Sequence, residues 1–155
     1  MVELAVAEAQ GASRVADLYC GVGTFTFPLA EVTQVYAAEM SAPAISALKA
    51  AIGGAPGLKP ITAETRDLVR RPVLSTELAK TDVVVIDPPR AGAAEQTVEI
   101  AKSKVAKVVG VSCNPQTFAK DARVLVDAGF KLVRVTPVDQ FVWSPHIELV
   151  GVFTR

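Results

Sequence analysis

Cysteine and histidine are scarce in this chain of 155 residues: Cys20 and Cys113 are its two cysteines and His146 its one histidine. Two thiols make neither a disulfide scaffold nor a four-ligand zinc site, and no metal centre is expected. Aromatic residues are few, 6% against a hydrophobic share of 50%. A core built mainly from Ala, Val and Leu suits parallel strands buried on both faces. Charge of one sign is also missing, since 16 basic residues balance 16 acidic ones. Affinity for a phosphate backbone rests mainly on Lys and Arg. Either the substrate is not a polyanion, or another domain supplies the grip. No uncharged apolar run approaches about 18 residues, so no membrane span is expected. Residues 1–12 carry neither a basic region nor a sustained apolar stretch. That pattern argues against a signal peptide and for the cytoplasm as the compartment. The length fits one domain, expected to be monomeric, with no internal repeat, low-complexity tract or linker.

What is present is an alternation of apolar runs and helical segments. Strands are predicted at Arg14–Tyr19, Gln34–Glu39, Pro60–Thr65, Asp82–Asp87 and Lys107–Ser112. Helices are predicted between them. Thr24–Glu31 contains Pro28; a second runs from about Pro43 to Ile52, capped by Ser41 and stopped by Gly53, Gly54, Pro56 and Gly57. Leu74–Lys80 is a short helix at most, and Ala94–Lys102 reads as helical. Pro115–Ala128 places Phe118, Ala122, Leu125 and Val126 on one face and ends at Gly129. Two further strands, Lys131–Val138 and Ile147–Thr154, close the chain. The alternation predicts a doubly wound α/β sheet. The segment joining the last two strands has no room for a crossover helix, so the seventh strand is expected to run antiparallel. A mostly parallel sheet of seven strands with one late antiparallel strand resembles the class I S-adenosylmethionine methyltransferase fold.

The first strand runs into Asp17-Leu18-Tyr19-Cys20-Gly21-Val22-Gly23-Thr24. Gly21 and Gly23 permit a sharp strand-to-helix turn and close approach of backbone to a ligand. Glu39, at the end of the second strand, is placed to accept hydrogen bonds from both ribose hydroxyls of a nucleoside. A lone Gly-x-Gly is often only a tight turn; Glu39 at this spacing favours a nucleoside site. The loop lacks the third glycine of a dinucleotide fingerprint. Asp17 opens it, where a pyrophosphate is unwelcome but a sulfonium and an amino acid are not. Asp67, after the third strand, is a candidate acceptor for the adenine amine, though a surface Asp at that place is equally ordinary.

The chemistry-bearing residues sit at the same predicted edge. Asp87-Pro88-Pro89-Arg90 ends the fourth strand in a rigid, extended lip. Asp87 is a candidate to fix cofactor or substrate base, the alternative being a strand cap paired with Arg90. Cys113, in Val111-Ser112-Cys113-Asn114-Pro115, follows the fifth strand and precedes a helix whose positive dipole end faces it. Cys20 reads as an inert buried thiol. Glu148 is an acid among Ile147, Leu149 and Val150, a setting that suits a general base. His146 reads as a structural hydrogen-bonding residue.

Taken together, DLYCGVGTF, DPPRAG, VSCNP, VTPVDQF and PHIELV resemble the RNA (uracil-5-)-methyltransferases of the tRNA and 23S rRNA type. The resemblance runs from about residue 3 to the C-terminus, and SCNP with DPPRAG in this order is specific. It implies S-adenosyl-L-methionine as cofactor and a uridine in RNA as substrate. It implies that Cys113 adds to C6 of uracil, that C5 then takes the methyl group, and that Glu148 removes the C5 proton. C5 of uracil is a poor nucleophile without that addition, and the base must leave its stack to be reached. Tyr19, Thr24, Glu39 and Asp87 fall where the family contacts its cofactor, with Thr24 where members often have Asn. Full-length members carry an N-terminal oligonucleotide-binding barrel and a central RNA-contacting region, and some an iron–sulfur cluster. None of these is in the sequence, which is therefore expected to be a piece of a longer protein, residues 3–10 being the tail of a helix. Two other readings stay open: a cofactor-binding module inactive in isolation, and a methyltransferase acting on another RNA base. Paired Cys113 and Glu148 argue against the last, because methylation of an amino group needs no thiol.

Overall fold

A computed structural model describes residues 1–139, 143 and 147–155. His146 and most of the segment joining the last two strands lie outside the described residues. The chain begins with α1 (Val2–Ala9), followed by β1 (Arg14–Leu18), α2 (Thr26–Ala30), β2 (Gln34–Glu39), α3 (Ala42–Gly53) and β3 (Ile61–Thr65). A single 3-10 turn at Glu77–Lys80 precedes β4 (Val83–Ile86), α4 (Ala94–Lys102), β5 (Lys107–Ser112), α5 (Pro115–Asp127), β6 (Lys131–Val138) and β7 (Glu148–Thr154). Every predicted strand is present.

The strands form one sheet in the order β3-β2-β1-β4-β5-β7-β6. The first five pair in parallel, and β7 runs antiparallel to both of its neighbours, β5 and β6. This is the α/β architecture expected from the alternation of segments. Strand periodicity divides the core between the two faces. Val15, Val83, Val85, Val109, Val111 and Val150 pack with Ala5, Leu29 and Leu48 of α1, α2 and α3. Ala16, Leu18, Val84, Ile86, Val108 and Phe153 pack on the other face with Ile100, Ala122 and Leu125 of α4 and α5. Each fully buried Val or Leu contributes about 1.5–3 kcal/mol by leaving water. β6 forms one edge of the sheet, where Pro137 is tolerated because an edge strand has backbone to spare.

Most predicted boundaries move by a residue or so, and two shifts around the first turn have a local reason. β1 stops at Leu18, and Tyr19 turns the chain with a left-handed φ of 62°. The helix expected from Thr24 starts only at Thr26, because residues 21–25 form the turn. Pro28 then falls in the first turn of α2, where its missing N–H costs nothing. Ser41 caps α3 as expected, accepting from Ala44 N at 3.4 Å.

Gly110 of β5 and Gly151 of β7 are cross-strand partners. Together they open a hollow that the Phe118 ring of α5 fills. A Cβ on Gly151 would overlap that ring, whereas one on Gly110 would stand 3.5 Å from it, an ordinary contact. Gly151→Ala is therefore expected to destabilise the protein by about 1–3 kcal/mol through overpacking. Gly110→Ala should cost clearly less. Urea denaturation midpoints compare the two, and equal midpoints would show that Phe118 is not seated in this hollow.

Candidate active site

The carboxyl ends of β1 to β5 gather at one edge of the sheet, and the amino end of antiparallel β7 joins them. In the β5–β7 ladder Ser112 pairs with Leu149, so one step further places Cys113 level with Glu148. Adjacent strands lie about 5 Å apart. Glu148 is buried, 9% exposed, and Cys113 is half-buried. Asp87, one residue past β4, completes the group: its carboxyl is pushed up to about 6, by burial first and by the charge of Glu148 second. Strand order thus puts Cys113 and Glu148 at the adjoining ends of β5 and β7, two strands apart in sequence.

Beside them, Tyr19, Glu39, Met40, Arg66, Asp67, Leu68, Val69, Asp87 and Pro89 line an open cleft of about 320 Å³. Glu39 is braced from two sides, Gly21 N donating to Oε2 at 3.3 Å and Ser41 N to Oε1 at 2.8 Å. The carboxylate still has lone pairs to offer a ligand. Asp67 accepts from Val69 N at 3.0 Å and Arg70 N at 3.1 Å, so it organises its own turn while facing the cleft.

The two glycines of the turn have different jobs. Gly21 has a positive φ of 55° and open space where a Cβ would stand, leaving its backbone free for a ligand. Gly23 is packed: a Cβ there would overlap Leu48 of α3 and touch Phe27 of α2. It serves the seating of the turn. Thr24 is exposed and does not line the cleft.

Among the described residues, two buried side-chain atoms have no hydrogen-bond partner, Asp17 Oδ1 and the Tyr19 hydroxyl. Asp17 is fully buried, and its other oxygen accepts from Thr26 Oγ1 at 2.5 Å. Burial, with the charge of Asp87 adding, lifts the Asp17 carboxyl to about 7. Burial lifts the Tyr19 hydroxyl to about 12, helped by Glu95, Asp121, Asp67 and Glu39. Such orphaned groups are costly and are common where a ligand completes the bonding. The cleft offers apolar walls to a base (Met40, Leu68, Val69, Pro89), carboxylates to hydroxyls, and excess negative potential to a cation. A nucleoside with a sulfonium and an ammonium group fits that set, whereas a pyrophosphate would be repelled. Cys20, by contrast, is 3% exposed, and burial pushes its thiol up to about 12, a setting for an inert residue. No group of three or more His, Cys, Asp or Glu side chains is arranged to hold a metal ion among the described residues.

Sequence reasoning missed Arg66. Its guanidinium is 9% exposed and binds Glu64, Glu77 and the carbonyls of Arg71 and Pro72 at 2.7–3.0 Å. It shapes the 66–72 turn that presents Asp67, and it holds the Glu77 carboxyl down to about 2. An arginine between Thr65 and Asp67 looks solvated in sequence, because its partners are chosen by folding. Thr26, the donor to Asp17, carries no signal either.

The raised Asp17 carboxyl gives a signed pH dependence. Its folded value, about 7, stands above its ordinary 3.8, so the folded state holds a proton that the unfolded chain has lost. The associated stability is full at low pH and falls as pH rises toward 7. Relative to Asp17→Asn, the wild type should lose about 2–3 kcal/mol between pH 5 and pH 8. Urea unfolding of both proteins at the two pH values measures this. A gap that does not change would mean that Asp17 stays ionised throughout.

The tRNA (uracil-5-)-methyltransferase family model matches residues 1–155. A Caulobacter vibrioides protein described as an uncharacterized RNA methyltransferase is 97% identical over 155 residues, which are 100% of this chain and 37% of that protein. A Brucella melitensis protein of the same description is 52% identical, over 100% of this chain and 37% of its own length. The chain therefore spans little more than a third of these curated relatives. Among solved structures, the tRNA (uracil-54, C5)-methyltransferase of Pyrococcus abyssi, in complex with S-adenosyl-L-homocysteine, superposes with a TM-score of 0.82 at 29% identity, covering 99% of this chain and 37% of that one. Magnesium protoporphyrin IX methyltransferase from Synechocystis with bound SAM superposes at 0.74 and 21% identity, over 99% of this chain and 76% of that one, a likeness of fold alone. With the family model matching its whole length, the chain belongs to the tRNA (uracil-5-)-methyltransferase family.

Proposed function

We propose that this chain is the catalytic domain of an enzyme that methylates C5 of a uridine in tRNA or rRNA, with S-adenosyl-L-methionine as methyl donor and Cys113 as covalent nucleophile. The observation that carries the reading is the ladder register that sets Cys113 level with Glu148, next to Asp87 and the nucleoside-shaped cleft. A thiol and a carboxylate at one sheet edge serve addition and proton removal at adjacent carbons of a pyrimidine. Methylation of an exocyclic amine would leave the thiol without a task.

Each residue then has a step. Tyr19, Glu39, Asp67 and Asp87 hold the cofactor, which supplies an electrophilic methyl group. Cys113, as thiolate, adds to C6 of uracil, and the electron pair of the C5–C6 double bond becomes available at C5. C5 forms its new bond to the methyl carbon as the bond from that carbon to the donor's sulfur breaks, its electron pair staying on sulfur as a neutral thioether. Glu148 takes the C5 proton, the double bond re-forms, and the pair of the S–C6 bond returns to Cys113. Splitting the reaction this way replaces one difficult step by two easier ones. Balanced charge, 16 against 16, supports a grip on RNA supplied from outside this segment.

In the full-length protein, Cys113→Ala should lower formation of 5-methyluridine by on the order of 10³-fold or more while leaving cofactor affinity intact. Mass analysis of the RNA and calorimetric titration read the two effects. Glu148→Gln should accumulate an RNA–protein adduct through Cys113, seen as a slow-migrating band. Undiminished methylation by Cys113→Ala would exclude the covalent route. The isolated chain should bind cofactor but not RNA, and measurable RNA affinity would overturn the assignment of the grip.

A further inference from the structure

Helix α5 carries Asn114, Thr117 and Asp121, three and four residues apart and so on one face. On a solvated helix such a stripe has no partner. Here all three grip the backbone of the loop that follows Asp87. Asn114 Nδ2 donates to the Arg90 carbonyl at 3.1 Å, and Thr117 Oγ1 lies 3.2 Å from the same oxygen and 3.2 Å from the Asn114 carbonyl, its single proton shared between the two. Asp121 Oδ2 accepts from Ala93 N at 2.9 Å, capping α4, which has no side-chain cap of its own. Between these anchors, Gly92 has a φ of +86°, and a Cβ on it would stand 3.0 Å from Asp121 Oδ2 and 3.2 Å from Thr117 Cβ. The loop lies against α5 as closely as a glycine permits.

The same Asn114 is the residue after Cys113. Its Oδ1 accepts from Gln116 N at 3.0 Å and starts α5, while Ser112 Oγ bonds both its N–H and its carbonyl at 3.1 Å. The nucleophile therefore sits in a turn whose other arm reaches across to the Asp87–Arg90 lip. A bond network that joins two loops from successive strand ends fixes the distance between what each loop carries.

Building on the proposed function, we propose that Asn114, Thr117 and Asp121 are positioning residues: they lock the lip bearing Asp87 to the turn bearing Cys113. This keeps the thiol at a fixed distance from the cofactor held at Asp87, and so in register with the uracil between them. None of the three touches substrate; they act through the Arg90 and Ala93 backbone. Loosening the lock lets the two loops drift, which penalises the covalent step far more than cofactor binding.

The test uses the full-length protein with N114S/T117V. Serine still caps α5 but is too short to reach Arg90, and valine keeps the shape of threonine without its donor. Amide exchange across Arg90–Ala93 should become about tenfold faster or more, a readout independent of activity. The rate of Cys113 adduct formation with uridine-bearing RNA should fall by at least about tenfold, with the cofactor Kd changing less than about threefold. N114S/T117S, which restores a hydroxyl at 117 but not the Asn114 donor, should recover part of both effects. Unchanged exchange at residues 90–93 would overturn the lock, and so would faster exchange with an unaltered adduct rate. A fall in rate that merely follows a drop in Tm, shared by the serine rescue, would also overturn it. If wild type forms no 5-methyluridine, the proposed function fails, and unchanged exchange would still overturn the lock by itself.

Discussion

Insertion of β7 between β5 and β6 is the constraint on which the site depends. β6 and β7 are joined by too few residues for a crossover, so they must run antiparallel. β7 also hydrogen-bonds to β5, and that second ladder sets its register: both faces of β7 are packed, and a slip of one residue would exchange them, setting Phe153 where Val150 and Val152 are buried. The register that buries those valines is the one that brings Glu148 opposite Cys113. Packing and chemistry are settled by one choice of pairing. The Gly110–Gly151 pair on the same ladder then receives Phe118, which seats α5 and with it the turn that carries the thiol.

The other side of the site carries an electrostatic load. Asp17, Asp87 and Glu148 lie buried or half-buried at one sheet edge, and Asp17 has one oxygen without a partner. Burial first, and the charge of a neighbouring carboxylate second, raises the carboxyls of Asp17 and Asp87, so each added negative charge costs more than the last. A cationic ligand relieves that cost and an anionic one adds to it. Arg66 shows the opposite treatment: its charge is matched by Glu64 and Glu77 and by two carbonyls, so it stabilises a turn and leaves the cleft acidic.

Much of this was legible in the sequence. The strand ends, the capping by Ser41, the start of a helix at Pro115, the antiparallel seventh strand and the acid at Glu39 follow from periodicity and from what short chain segments can do. Tyr19 was legible as a site residue but not as the left-handed turn, because its φ is imposed by hydrogen bonds from Tyr19 N and Cys20 N to the Ala38 carbonyl on the neighbouring strand. Gly23 read as part of a sharp turn open to a ligand; that a Cβ there would overlap Leu48 and meet Phe27, side chains from two different helices, could not be read from sequence. Nor could the exposure of Thr24.

By itself the sequence determined the α/β order, the turn after β1 and the presence of a thiol and an acid at strand ends, because these are properties of contiguous residues. Only the tertiary structure decided that the ends of β5 and β7 adjoin, so that Cys113 and Glu148 share one sheet edge, that Arg66 is buried, and that Asn114, Thr117 and Asp121 hold a loop 24, 27 and 28 residues away. The physical reason is that hydrogen bonds and close packing join atoms by distance in space. Strand order, which no local pattern encodes, sets those distances.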